Sequence, residues 1–239
     1  MTGTVVPGVT GETVAVTGAA GGIGSAVCAA LRTAGATVVA WDLAGDGIEP
    51  LDVTDTAAVA AAWADAERRH GPITGLICAA GVMSDDWDRC LAVNAGGVRN
   101  LLDAALPAMI ERRRGSVVVI SSNAAATPRA AMPSYAASKA AATAYTRSRG
   151  IDAAAAGVRV NIVSPGSTDT PMLTQLLDDD TARQAVLDGD PARFRLGIPL
   201  GRIAAPADIA ETVLFLASDA ARHITLHDLR VDGGATLDQ

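Results

Sequence analysis

Short apolar segments alternate with alanine-rich segments along this chain, and no other feature of the sequence constrains the fold as much. The apolar segments predict strands at 13–17, 36–41, 48–52, 72–80, 116–121, 158–164 and 224–231. Between them we expect a first helix that ends near Ala34 and further helices at 55–70, 86–113, 134–156 and 206–218. Apolar strands separated by helices are typical of a parallel sheet covered on both faces. The chain is therefore predicted to form a doubly wound α/β fold with a seven-stranded parallel sheet.

The length and continuity of the chain predict a single domain over residues 1–239. This length is enough for one α/β domain with a large core, and no internal repeat or linker interrupts it. The segment 167–200 differs from the rest because it contains three prolines and an acidic run at 178–180. Its place between the sixth strand and the last helix predicts a mobile substrate lid, with a plain surface excursion as the alternative.

Composition excludes several classes of partner. The net charge of −7 argues against binding to nucleic acid or to an anionic membrane. The N-terminus shows no basic region followed by an apolar run, and no apolar stretch reaches the ~18 residues of a membrane span. The three cysteines form no CxxC pair and the three histidines have no ligand spacing. We therefore expect reduced thiols, a cytoplasmic protein and no metal site.

A glycine-rich turn, TGAAGGIG at 17–24, follows the first strand and begins the first helix. Gly18, Gly22 and Gly24 let the backbone approach a pyrophosphate, whose charge the helix N-terminus stabilises. Asp42 follows Gly24 by 18 residues, at the end of the second strand, where a carboxylate can bind both hydroxyls of an adenosine ribose. No adjoining cation is present to accept a 2′-phosphate. The sequence thus predicts a Rossmann fold that binds NAD rather than NADP.

Two residues after the short third strand are candidates for contact with the adenine. Asp52 can accept a hydrogen bond from the adenine amine, and Val53 can pack against the ring. A helix cap is the alternative role for Asp52.

A serine, a tyrosine and a lysine within SSNAAATPRAAMPSYAASK (121–139) form a candidate proton-transfer group. Tyr135 and Lys139 are four residues apart, so on a helix their side chains project from one face. A tyrosine phenol titrates near ~10, and a fixed ammonium can lower that pKa by roughly 1–3 units. Ser122, at the end of the preceding strand, can orient the reacting oxygen.

These motifs occur together in the order found in the short-chain dehydrogenase/reductase family, which the chain resembles over essentially its full length. The resemblance implies that Tyr135 is the catalytic base, that Lys139 lowers its pKa and binds the nicotinamide ribose, and that Ser122 positions the substrate hydroxyl. It also implies that Asn94, in LAVNAGG, anchors a proton-relay water. The further cofactor contacts that it implies are Ile23, Ala80, Gly81, Pro165, Gly166, Thr168 and Thr170.

The second half of the chain is similar to a narrower group, the dehydrogenases of catechol-siderophore biosynthesis that act on 2,3-dihydro-2,3-dihydroxybenzoate. This resemblance implies oxidation of the C3 carbinol of a carboxylated cyclohexadiene, with hydride transfer to NAD⁺ and aromatisation to 2,3-dihydroxybenzoate. It lies in the stretches NAAATPRAAMPSYAASKAA, VNIVSPGSTDTPM, FRLGIPLGRIAAPADIAETVLFLASD and HITLHDLRVDGGATL.

A substrate carboxylate requires a cation or oriented donors in an otherwise apolar pocket. Arg129 is the candidate, because it lies between Ser122 and Tyr135 in the sequence; the alternative is a solvated loop arginine. The other residues that we expect to contact the substrate are Ser122, Met132, Tyr135, Ser167 and Met172. A simple packing role is the alternative for Met172.

Two features depart from the family pattern. The sequence CAAG at 78–81 replaces the usual Asn-Asn-Ala-Gly run, and only 12 residues separate Gly81 from Asn94. The second departure shortens a wall of the expected pocket and leaves room for a related substrate, trans-2,3-dihydro-3-hydroxyanthranilate, which has an amino group at C2. A general carbonyl reductase and a non-catalytic NAD sensor are the remaining alternatives.

The two longest predicted helices, 86–113 and 134–156, have alanine-rich faces. In the family the equivalent helices pair across a dimer interface, usually within a tetramer. The resemblance therefore implies a homotetramer, and a contact within one chain is the alternative use of these faces.

Overall fold

A computed structural model describes residues 5–175 and 179–237, which form a seven-stranded parallel sheet with helices on both faces. The strands are β1 (Thr13–Thr17), β2 (Thr37–Asp42), β3 (Glu49–Pro50), β4 (Ile73–Cys78), β5 (Ser116–Ile120), β6 (Arg159–Pro165), β7 (Gly189–Asp190), β8 (Arg195–Leu196) and β9 (Asp228–Val231). The sheet has the order β3-β2-β1-β4-β5-β6-β9, so the chain runs outward in both directions from β1, as predicted for a doubly wound sheet.

The helices cover two faces of this sheet and enclose two apolar layers. The helices are α1 (Gly22–Thr33), α2 (Thr56–His70), α3 (Trp87–Cys90), α4 (Gly97–Glu111), α5 (Pro133–Ala154), α6 (Pro171–Thr174), α7 (Asp180–Asp188) and α8 (Pro206–Ala217). One layer lies under α2, α4 and α5 and includes Trp63 and Met109, whereas the other lies under α1 and α8 and includes Leu31 and Leu216. Every residue of β1 and β5 is buried, and both strands are apolar apart from threonine or serine at their ends.

The helix predicted at 86–113 is not uniform. A π-helical turn, Leu91–Gly96, separates α3 from α4, and the helix ends at Glu111 because Arg113 has a left-handed φ of 54°. A π turn inserts one extra residue into the helix, so it changes which side chains face inward. It contains Asn94, whose side chain is fully buried.

Three predicted strands are clearly shorter than expected, and the fourth strand of the chain is Ile73–Cys78 rather than 72–80. The third strand contains only Glu49–Pro50, and the last begins at Asp228 rather than at residue 224. Leu226 has a φ of 62°, which keeps the residues before β9 out of the extended conformation. Its backbone amide nevertheless donates to the carbonyl of Val160, so this segment still follows the sheet edge.

The segment predicted as a lid, 167–200, contains α6, α7 and an antiparallel ribbon of β7 and β8, which we call the lid hairpin (residues 189–196). Asp178 of the acidic run lies outside the described residues. A Cβ atom on Gly189 would lie 2.4 Å from the amide nitrogen of Gly197, so the ribbon packs too closely for a side chain there. That this segment opens and closes stays a prediction.

Candidate active site

The predicted site residues lie along one edge of the sheet, where the carboxyl ends of β1, β2, β4, β5 and β6 meet. A cavity of about 330 Å³ opens at this edge. The cavity lining does not include the glycines of the turn, Asp42, Asp52, Val53, Ala80 or Asn94. The predicted residues that line it are Ile23, Gly81, Ser122, Arg129, Met132, Tyr135, Lys139, Pro165, Gly166, Ser167, Thr168, Thr170 and Met172.

The glycine-rich turn brings backbone atoms close together between β1 and α1. Gly18 has a φ of 68°, and a Cβ atom on it would lie 2.5 Å from the amide nitrogen of Ala80. A Cβ atom on Gly24 would lie 2.0 Å from the carbonyl oxygen of Gly18. The N-cap residue of α1, Gly21, has no side chain to satisfy the first helical amides. The turn therefore fits the pyrophosphate of a dinucleotide, which would accept hydrogen bonds from these amides.

Asp42 ends β2 beside this turn. Its two carboxylate oxygens accept hydrogen bonds from the backbone amides of Ala20 at 2.9 Å and Leu43 at 2.7 Å. Among the described residues it forms no ion pair with a lysine or arginine. Backbone amides therefore hold a negatively charged carboxylate at the end of β2, beside the glycine-rich turn.

The loop that contains Asp52 and Val53 is held by the side-chain amide of Asn100, which was not predicted from the sequence. Asn100, buried on α4, donates to the carbonyl oxygen of Val53 at 2.9 Å. Asp52 accepts hydrogen bonds from the amide and hydroxyl of Thr54, which lower the pKa of its carboxyl group. The alternative role of Asp52 as a helix cap is wrong, because Asp55 caps α2. The sequence gives no signal for the role of Asn100, because Asn100 on α4 and Val53 in this loop meet only in the folded chain.

Tyr135 and Lys139 lie on the first turns of α5, facing the end of β5. The Lys139 ammonium lies 5.9 Å from the centroid of the Tyr135 ring and donates to the carbonyl oxygen of Ile120 at 2.9 Å. Ser122 begins a 3₁₀ turn after β5, and its side chain lies close enough to Tyr135 to lower the pKa of the phenol. The structure therefore brings together the serine, tyrosine and lysine that the sequence analysis selected.

The electrostatic state of this group differs from the expectation. Burial raises the pKa of Tyr135, and the polar side chain of Ser122 offsets this rise in part. Burial also lowers the pKa of Lys139 to about 8. The predicted lowering of the tyrosine pKa by Lys139 is therefore absent in the protein alone. A further positive charge beside the phenol is needed to favour the phenolate.

Asn94 connects the π-helical turn to two neighbouring segments. Its side-chain nitrogen donates to the carbonyl oxygen of Val82 at 2.9 Å and to the Ser138 hydroxyl at 2.8 Å, while its oxygen accepts from the amide of Val82 at 2.9 Å. Ser138 in turn donates to the carbonyl oxygen of Tyr135 at 2.7 Å. Ser138 was not selected from the sequence, although it belongs to the YAASK motif. These bonds fix the orientation of the catalytic turn of α5 and of the short loop after Gly81.

The backbone after β6 forms the wall opposite α5. A Cβ atom on Gly166 would lie 2.6 Å from the Cβ atom of Asp232, so only glycine fits there. Thr168 pairs with Ala204 in an isolated bridge, and the Thr170 hydroxyl donates to the carbonyl oxygen of Thr168. These contacts fix the backbone of this segment along the cavity wall.

Both departures from the family sequence pattern can be followed in the structure. Cys78, which stands where the family has an asparagine, is buried in the apolar layer under α4, and burial raises the pKa of its thiol to about 12. The cavity next to the short loop is lined by Met83 in addition to the predicted residues. Among the described residues, no group of three or more His, Cys, Asp or Glu side chains is placed to hold a metal ion, and no helix is long and apolar enough to span a membrane.

Comparison with known proteins agrees with this site. A family model described as enoyl-(acyl carrier protein) reductase matches residues 18–236. The chain belongs to the short-chain dehydrogenase family, whose members are oxidoreductases that use a nicotinamide cofactor.

Individual relatives narrow the comparison. The chain is 41% identical to a 2,3-dihydro-2,3-dihydroxybenzoate dehydrogenase of Bacillus subtilis (strain 168), over 96% of this chain and 98% of the relative. It is 43% identical to the enzyme of the same name from Escherichia coli (strain K12), over 95% and 98%. A ligand-free structure of aldohexose dehydrogenase from Thermoplasma acidophilum superposes with a TM-score of 0.88, at 29% identity over 98% and 97% of the two chains.

Proposed function

We propose that this chain oxidises 2,3-dihydro-2,3-dihydroxybenzoate to 2,3-dihydroxybenzoate with NAD⁺, in siderophore or other secondary-metabolite biosynthesis. The observation that carries the proposal is the composition of the cavity: Ser122 and Tyr135 lie in the same largely apolar space as the guanidinium of Arg129. A proton acceptor and a carboxylate-binding cation in one cavity fit a carboxylated ring alcohol. The names of the relatives support this substrate.

The residues of the site divide the work of an alcohol oxidation. Tyr135, as the phenolate, removes the proton of the C3 hydroxyl, while the Ser122 hydroxyl hydrogen-bonds to the same oxygen. When bound, the cofactor accepts the hydride and supplies the positive charge that the buried phenol lacks in the protein alone. Lys139 holds a second positive charge near the phenol. The ketone that results tautomerises, because C2 loses its proton and the C3 oxygen gains one, and the aromatic catechol that forms makes the overall step strongly favourable.

NAD rather than NADP is the cofactor in this proposal. The carboxylate of Asp42 faces the turn that would hold the adenosine ribose, and a 2′-phosphate there would be repelled by it. Asp52 and Val53 would contact the adenine, with Asn100 holding the loop in position. Thr168 and Thr170 would bind the carboxamide of the nicotinamide.

The test is a turnover assay with purified protein. We expect NADH absorbance and catechol fluorescence to appear with NAD⁺ and dihydro-dihydroxybenzoate, and much less with NADP⁺. Turnover of the 2-amino analogue alone would assign the chain to the dihydro-hydroxyanthranilate instead. The variant Tyr135→Phe should bind NAD⁺ normally and lose at least ~100-fold in kcat, the usual contribution of a positioned acid–base group. A Tyr135→Phe rate near that of the wild type contradicts the proton-transfer role.

Three organisational features belong to the same proposal. The chain acts as a single domain, with 167–200 as its substrate lid. It works as a homotetramer that pairs through α4 and α5. It functions in the cytoplasm, where its three buried thiols stay reduced.

A further inference from the structure

A second arginine lines the cavity that contains Arg129. Arg195 lies on β8 of the lid hairpin, on the side of the cavity formed by Leu196 and Ile198. Arg129 lies between the end of β5 and the start of α5. Both arginine side chains are half-buried. Two segments that are 66 residues apart in the chain therefore bring guanidinium groups to one apolar cavity.

Neither guanidinium donates a hydrogen bond or forms an ion pair within residues 5–175 and 179–237, and this distinguishes Arg195 from its neighbours. Buried or half-buried arginines normally have carboxylate or carbonyl partners, since an unpaired charge is costly away from water. Three arginines near Arg195 in sequence each have an aspartate partner: Arg183 pairs with Asp169, Arg193 with Asp190 and Arg202 with Asp208.

The surroundings leave the two guanidinium groups without a full counter-charge. Burial lowers the pKa of Arg129, and the positive charge of Arg195 lowers it further, while Asp232 acts in the opposite direction. Asp232 is already engaged, because its carboxylate accepts hydrogen bonds from the side chains of Asn123 and Thr236. An anion between the two arginines would screen their mutual repulsion and would offset the free-energy cost of burying their charges.

The backbone around Arg195 is well fixed for a binding residue. The backbones of Asp190 and Arg195 lie opposite each other in the antiparallel lid hairpin, and Gly189 and Gly197 approach too closely for a side chain between them. The amide of Ile198 donates to the carbonyl oxygen of Leu187 at 2.8 Å, which ties the ribbon to α7. Arg195 is therefore presented by a braced element rather than by a loose loop.

We propose that Arg195 is a second residue that binds the carboxylate of the substrate, so that the bound carboxylate bridges the lid hairpin and the loop of Arg129. This inference rests on the proposed function, because it assigns a role in binding that substrate. It also makes the carboxylate a requirement: a ring diol without it leaves two arginines unpaired. Guanidinium groups on two sides of one carboxylate fix the orientation of the ring and thus the carbon presented to Tyr135.

The test measures binding directly, by calorimetric titration of 2,3-dihydroxybenzoate and of catechol into NAD⁺-loaded protein. Catechol has the same ring diol and lacks the carboxylate. We expect Arg195→Gln to weaken 2,3-dihydroxybenzoate binding by about 10- to 100-fold, as for loss of a charge-assisted pair, and to change catechol binding by less than about twofold. Arg195→Lys should recover part of the loss. Arg193→Gln removes the same charge from the same hairpin and should leave both affinities unchanged.

The outcomes separate this inference from the proposed function. Equal effects of Arg195→Gln and Arg193→Gln, or an equal loss of catechol binding, would overturn the role of Arg195. If the wild type fails to turn over dihydro-dihydroxybenzoate but its affinity for the carboxylated ring still depends on Arg195, the carboxylate site stands and the proposed reaction falls. If turnover occurs and Arg195→Gln leaves carboxylate affinity intact, only the inference falls.

Discussion

At the scale of single residues, Lys139 shows how the site differs from the rest of the interior. It is buried to 5% exposure, and its ammonium has a hydrogen bond to one carbonyl, that of Ile120. Burial lowers its pKa to about 8, so the folded protein without cofactor holds this charge at a cost. The ammonium lies 5.9 Å from the centroid of the Tyr135 ring.

We expect Lys139→Met to inactivate the enzyme and to stabilise the cofactor-free protein at pH 7. The unfolded lysine keeps its proton up to about 10.5 and the folded one only up to about 8, so wild-type stability rises as the pH rises through that window. Below pH 8 the full cost of burying the charge remains. The variant avoids this cost, which is on the order of 1–3 kcal/mol, but it also loses the hydrogen bond to the carbonyl oxygen of Ile120. Its gain in the free energy of unfolding is the difference between these two contributions.

Thermal unfolding of both proteins at pH 7, 8, 9 and 10 checks this prediction. The advantage of the variant should be largest at pH 7 and should shrink towards pH 10. An advantage that does not change with pH would show that packing, and not the charge of Lys139, causes it.

At the scale of elements, the turn between β1 and α1 depends on the absence of one side chain. We expect Gly24→Ala to weaken NAD⁺ binding at least about tenfold and to lower the melting temperature, because its Cβ atom would lie 2.0 Å from the Gly18 carbonyl oxygen. Gly21→Ala is the matched control in the same turn, where the nearest atom would lie 3.2 Å away. Similar NAD⁺ affinities for the two variants, measured by fluorescence titration, would contradict this account.

The elements also show how far sequence carries the prediction. The strands at 13–17 and 116–121 were predicted almost to the residue, because each is apolar except for threonine or serine at its ends and is buried on both faces. The interruption of the helix at 86–113 was not predicted, since the π turn is held by contacts of Asn94 with Val82 and Ser138, which are distant in sequence. Local motifs identified Ser122, Tyr135 and Lys139 because these residues lie close together in the sequence, at the end of one strand and on the next helix. The motifs missed Arg195 because it reaches the cavity only through the pairing of the two short strands of the lid hairpin.

At the scale of the whole molecule, one exposed helix face is suited to contact with another copy. On α5, the exposed positions Ala141, Ala144 and Ser148 are small, and Ile151 is 63% exposed. Small side chains let two helices approach closely. We expect light scattering to give a mass about four times the 24.1 kDa of the chain.

The control for this prediction uses one substitution at two helices. Ala144→Glu places a charge on the exposed face of α5 and should reduce the mass to that of smaller species. Ala60→Glu makes the same change on the exposed face of α2 and should leave the mass unchanged. A wild-type mass of 24.1 kDa would show that α4 and α5 serve only the core of one chain.

The contact between Gly22 and Thr170 bears on the order in which cofactor and substrate bind. A Cβ atom on Gly22 would lie 2.6 Å from the methyl carbon of Thr170, so the glycine-rich turn and the base of α6 touch directly. Thr170 also lines the substrate cavity. Under the proposed function the dinucleotide would lie against this threonine before the ring alcohol enters. We therefore expect a compulsory order of binding, with the dinucleotide entering first and leaving last.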